Sequence, residues 1–82
     1  SIFIALAILE LIEYQNLEND DYWDWRAGGF ELLRKNEQAI IYYSKAIEIN
    51  SKNVYYYEKR AKCKMAIENH YGAIPDFTKA LA

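Results

Sequence analysis

Apolar and polar positions recur at helical intervals along most of the chain. Trp23, Ala27, Phe30 and Arg34 follow one another at spacings of four, three and four, which places them on one side of a helix running from about Asp21 to Leu33. Ala39, Tyr43 and Ala46 form a second such line on a helix from about Glu37 to Asn50, with Ile40 and Ile47 on one flank and Tyr42 and Ile49 on the other. That apolar sector is wide enough for two neighbours. A helix from about Val54 to Ile67 follows, and Asn69 or His70 opens a last one. Residues 2–14 are apolar on every side before Glu10, the pattern of a helix covered from more than one direction.

The breaks between these segments are short and polar. Asn19 or Asp20 is suited to accept from the free N–H groups of the next helix, Asn36 after the basic pair Arg34-Lys35 is suited to cap the one that follows, and Ser51-Lys52-Asn53 supplies another turn. Pro75 falls near the end of the last helix's first turn, so that helix either begins late, near Tyr71, or bends. Gly28 and Gly29 lie inside a helix, where each costs about 0.8–1 kcal/mol relative to Ala. They mark either a close backbone approach or a weak spot that packing overrides. Glu58 to Lys62 and Lys64 to Glu68 are opposite charges at i,i+4.

The pattern also returns. Ala39, Ile40, Tyr43, Ser44, Lys45 and Ala46 reappear as Ala73, Ile74, Phe77, Thr78, Lys79 and Ala80, each 34 residues on. Tyr57, Arg60 and Ala61 answer Trp23, Arg26 and Ala27 at the same interval. A fixed period in the range of roughly 20–50 residues is the mark of a solenoid. The residues resemble the tetratricopeptide repeat, whose pattern is W-x2-L-G-x2-Y, then A-x3-F, then P. Trp23, Ala27, Phe30, Ala39 and Tyr43 fit it in residues 20–53; Arg26 replaces the Leu and Ser51 stands near the closing Pro. Tyr57, Ala61, Ala73 and Phe77 fit it in residues 54–82, with Lys64 at the aromatic position. Residues 1–19 match weakly, as the second helix of an upstream repeat.

The resemblance implies an all-α, right-handed solenoid of antiparallel helix hairpins: about two repeats plus an N-terminal helix, in one domain. It implies a concave groove that binds a peptide or protein segment, with no catalytic residues. By helical phase the groove positions are Asp21, Asp24, Trp25, Gly28 and Glu31 in one repeat and Tyr55, Glu58, Lys59 and Lys62 in the next. One wall is thus acidic and the other basic; the alternative at each position is an ordinary solvated or mutually paired charge. Trp25 either anchors a partner or packs on the preceding helix. Some members of the family clamp a chaperone's terminal carboxylate with Lys and Asn where this chain has Asp24 and Gly28, which argues against that ligand.

Composition narrows the remaining classes. The 52% hydrophobic and 27% charged residues exclude a disordered chain, and one Pro and three Gly favour helices. The net charge of −2 offers nucleic acid no general attraction, and its distribution is uneven: acidic at the start, basic at the end. The run Ile2–Leu9 falls short of the roughly 20 apolar residues of a membrane span and reads as a buried helix. Cys63 is the single cysteine, which favours a reducing, intracellular and cytoplasmic setting and reads as a small buried hydrophobe. His70 has no companion ligands, so neither a metal site nor another cofactor is expected. The chain's start at Ser1 and end inside a helical pattern read as a fragment of a longer protein. The expected function is therefore a protein-interaction scaffold and not an enzyme. A second reading is self-association through apolar ends at Ile2–Leu9 and Ile74–Leu81.

Overall fold

Local chemistry decides where each helix starts and stops, and the stops fall within a residue of those the pattern predicts. A computed structural model describes residues 1–82 as five helices with no strand: α1 (Ile2–Gln15), α2 (Asp20–Leu32), α3 (Asn36–Ile49), α4 (Val54–Ala66) and α5 (His70–Leu81). Asn19 and Asn53 cap α2 and α4 through their side-chain oxygens, which accept from Asp21 N (3.1 Å) and Tyr55 N (3.0 Å). Asn69 caps α5 by accepting from Gly72 N at 3.0 Å. A Cβ on Gly72 would fall 2.3 Å from Asn69 Nδ2, so a larger residue there would make the capping side chain shift. The helix begins at His70, ahead of the late start at Tyr71, and carries Pro75 inside it. There the ring withholds the N–H that the Tyr71 carbonyl would accept.

The 34-residue period is written into the backbone as well as the side chains. Arg34 and Glu68 both adopt left-handed conformations, with φ of 60° and 64°. Each follows a helix end closed by the same two bonds: Arg34 N to Glu31 O and Lys35 N to Phe30 O in one unit, Glu68 N to Met65 O and Asn69 N to Lys64 O in the next. This is the Schellman closure, built here without the usual glycine. The turn into α2 and the turn into α4 also match, since Asn19 N donates to Asn16 O and Asn53 N to Asn50 O. Across these turns Trp23 Nε1 donates to Leu17 O (3.3 Å), and Tyr57 Oη donates to Ser51 O (3.0 Å).

Packing runs between sequence neighbours: α2 against α3, α3 against α4, and α4 against α5. Such packing is compatible with a helical repeat, and the molecule is accordingly a slab of 43 × 25 × 15 Å. Ala27, Ala39, Ala46 and Ala61 are 0% exposed, because small side chains at the crossings let the helices approach. Trp23, Tyr43, Tyr56 and Cys63 fill the space around them. Burial pushes the Cys63 thiol up to about 11, which makes it inert packing material.

The two units solve one packing position in opposite ways. In the first, Phe30 and Trp23 both stack on Tyr42, with centroids 5.2 and 5.6 Å apart, and the Arg26 guanidinium lies 4.9 Å from the same ring. In the second, the equivalents of Phe30 and Tyr42 are Lys64 and Asp76, an ion pair at 2.9 Å. Arg60 holds both oxygens of Asp76 at 2.8 Å and donates to Ser44 Oγ at 3.0 Å. Asp76 is 4% exposed, and this cluster ties α3, α4 and α5 together. Lys64 is therefore not paired with Glu68 as its spacing predicts, whereas Glu58 and Lys62 do pair, at 2.9 Å.

The reading of Ile2–Leu9 as buried is corrected by the structure. No residue of α1 is buried, and Phe3 is 79% exposed. Only short links hold α1 beside α2, chiefly the pair of Glu13 with Arg26 at 2.7 Å. The physical reason is that the period places Ala5, Leu9 and Ile12 where α3 carries Ala39, Tyr43 and Ala46; α2 covers that line on α3, and none of the five helices buries it on α1.

Candidate functional site

A groove opens where α1, α2 and α4 face one another, and its volume is about 840 Å³. Leu9 and Ile12 of α1 form one side. α2 supplies the floor with Asp24, Trp25, Gly28, Glu31 and Leu32, and Tyr55 and Lys59 of α4 close the far side. Six of the nine groove residues expected from sequence thus meet in one place: Asp24, Trp25, Gly28, Glu31, Tyr55 and Lys59. The other three lie outside it. Asp21 is exposed in the first turn of α2, while Glu58 and Lys62 pair with each other along α4.

The helices take up their positions here through polar bonds that cross between them. Glu31 of α2 accepts from the Tyr43 hydroxyl of α3 and pairs with Lys59 Nζ of α4 at 3.2 Å, so one carboxylate joins three helices. Burial raises the Tyr43 pKa, and the bond to Glu31 raises it further, which keeps the phenol a donor. For Lys59, burial alone favours the neutral amine, but the Glu31 carboxylate outweighs it and the pKa is raised. At the start of α2, outside the groove lining, Asp20 accepts from the Tyr56 hydroxyl (2.7 Å) and from Asn50 Nδ2 (3.2 Å). These bonds hold its pKa below the ordinary value of 3.8.

Asp24 differs from its neighbours. No hydrogen bond or ion pair to it occurs, and its pKa is raised first by burial and then by Asp21, against a smaller opposing pull from Lys59. Beside it Trp25 is 78% exposed, so it does not pack on the preceding helix. Gly28 and Gly29 leave the floor bare: a Cβ at either would meet nothing within 4 Å. Within the chain they are a weak spot that packing overrides, not a close helix approach.

The acidic and basic walls expected from sequence are partly neutralised, because Glu31 and Lys59 satisfy each other. Sequence reasoning missed Leu9, Ile12 and Arg26, which enter the groove through the placement of α1. The Glu13–Arg26 spacing of 13 residues carries no helical signal. The site holds an open apolar cleft, a free aromatic and one unmatched carboxylate, an arrangement suited to binding a segment by shape and charge. No helix is long and apolar enough to cross a membrane. Comparison with protein-family models, with curated proteins and with solved structures returns no match to this chain.

Proposed function

We propose that the chain is a protein-interaction scaffold of the tetratricopeptide kind, a right-handed stack of helix hairpins that binds a peptide or protein segment in the groove. It acts by binding, without a catalytic step or cofactor of its own, inside the cell. The observation that carries this reading is Trp25, a large aromatic left 78% exposed over a cleft lined by Leu9, Ile12 and Tyr55. An aromatic of this kind anchors partner side chains at interfaces, since it offers much contact area for little lost freedom. The 34-residue repetition of caps, helix closures and turn bonds supports the repeat assignment.

The test is a nuclear magnetic resonance titration of the whole chain with pooled short peptides, some apolar and basic, some apolar and acidic, some apolar and neutral. The Trp25 indole and the amides of Gly28, Tyr55 and Lys59 are expected to shift with at least one pool. Shifts confined to the outer faces of α3 and α5, or none with any pool, overturn the reading.

The uncovered α1 favours a second reading, self-association. A contiguous apolar patch larger than a few hundred Å² is uncommon on a monomer, and α1 carries Ile2, Phe3, Ile4, Leu6 and Ile8 at half exposure or more. Light scattering across a concentration series tests it; a monomer at every concentration rules it out.

A further inference from the structure

Of the four charged side chains lining the groove, three are matched within the chain. Arg26 pairs with Glu13, and Glu31 pairs with Lys59. Asp24 alone has no partner, although it is half-buried and flanked by Asp20, Asp21 and Glu31. Lys59, the cation whose field reaches it, is already engaged by Glu31. An ionised carboxylate withdrawn from water without a counter-charge is unfavourable, and a cation brought by a ligand removes that cost. Trp25 next to it presents a free indole face, which attracts a cation through its quadrupole.

We propose that the groove takes a peptide segment presenting a Lys or Arg side chain among apolar neighbours, the cation set against Asp24 and Trp25 and the apolar side chains in the cleft of Leu9, Ile12 and Leu32. This assignment rests on the groove-binding reading above. Acidic segments are disfavoured by the same field that leaves Asp24 unmatched. The apolar cleft supplies contact area, and the single carboxylate fixes the register of the bound segment, since only one position along it can present the cation.

The experiment is a selection of short random displayed peptides on the full chain, followed by fluorescence anisotropy of labelled winners. The winners are expected to carry Lys or Arg between apolar residues. Replacing that basic residue with Gln is expected to weaken binding roughly tenfold on the wild-type chain and to have little effect on Asp24→Asn, the signature of a coupled charge pair. Asp24→Asn breaks no bond within the chain, so its thermal midpoint is expected to stay level or rise, and a fall would assign Asp24 a structural role and overturn the proposal. Winners without a basic residue, or a tenfold loss that persists in Asp24→Asn, also overturn it; if such winners still shift the Trp25 indole, groove binding itself stands. Should no selected peptide move the Trp25 indole, the groove reading and the cation assignment fail together.

Discussion

The Lys64–Asp76–Arg60 cluster invites a swap experiment, because the first unit holds a different answer to the same packing problem. Asp76 is 4% exposed and receives three charged donors. Asp76→Ala leaves Arg60 and Lys64 facing each other without an anion, and removing one partner from a buried ion pair costs about 3–5 kcal/mol. A domain of this size is stable by only roughly 4–12 kcal/mol. The urea midpoint should therefore fall by about 1 M or more. The double replacement Lys64→Phe with Asp76→Tyr copies Phe30 and Tyr42, whose rings stack at 5.2 Å in the first unit. In the double variant Arg60 keeps Ser44 and gains an aromatic face, as Arg26 has over Tyr42. Aromatic pairing, a cation–π contact and the buried apolar area should make the double variant more stable than Asp76→Ala by about 2 kcal/mol or more. Urea denaturation followed by circular dichroism measures both. A double variant that unfolds at the same urea concentration as Asp76→Ala would refute the equivalence of the two positions.

Three further outcomes follow from the same geometry. Gly29→Ala places a methyl group in open space on a helix with no positive φ at glycine, so stability should rise by about 0.8–1 kcal/mol and the thermal midpoint by roughly 4–8 °C; a fall would show a clash the structure lacks. Arg34→Gly and Glu68→Gly relieve left-handed residues at φ 60° and 64°, and each should stabilise by about 1 kcal/mol in a thermal melt, with additive effects because the sites belong to separate helix ends. Asp76 and Asp20 have folded pKa values lowered from 3.8, so their contribution is present above that pH and is lost as pH falls through the folded values. For Asp76 burial works against the lowering, but Arg60 and Lys64 outweigh it. Asp24 is raised and has the opposite sign, favouring the fold as it takes up a proton. Acid titration of stability should therefore decline below about pH 3.8 in the wild type and decline less in Asp76→Asn.

Much of the fold was legible because its determinants are short-range. Asn19 caps from one residue before a helix, and the alanine lines announce the close crossings without reference to anything distant, whereas Asn36, expected to cap, is itself the first residue of α3, which has no side-chain cap. The groove was legible in part, since helical phase alone puts Asp24, Trp25, Gly28 and Glu31 on one side of α2. What stayed hidden depends on geometry between helices. Lys64 prefers Asp76, 12 residues away, to the nearby Glu68, because the α4–α5 crossing brings it into a pocket where Arg60 has already fixed the carboxylate. Asp20 finds Tyr56 across 36 residues for the same reason. The exposure of α1 was illegible in a different sense: an all-round apolar helix states that it should be covered, and not whether a cover is present.

The paired turns Asn16–Asn19 and Asn50–Asn53 have a consequence for length. Each opens and closes with asparagine, carries the same backbone bond and hands over to a helix capped in the same way. A chain cut after Asn53 and continued from Asp20 would meet a junction chemically equivalent to the native one, and the copied α2 would offer Trp23 and Ala27 where α4 offers Tyr57 and Ala61. Duplicating residues 20–53 should therefore add two helices without a redesigned joint, and circular dichroism of the longer chain would show the added helix as an unchanged helical fraction per residue.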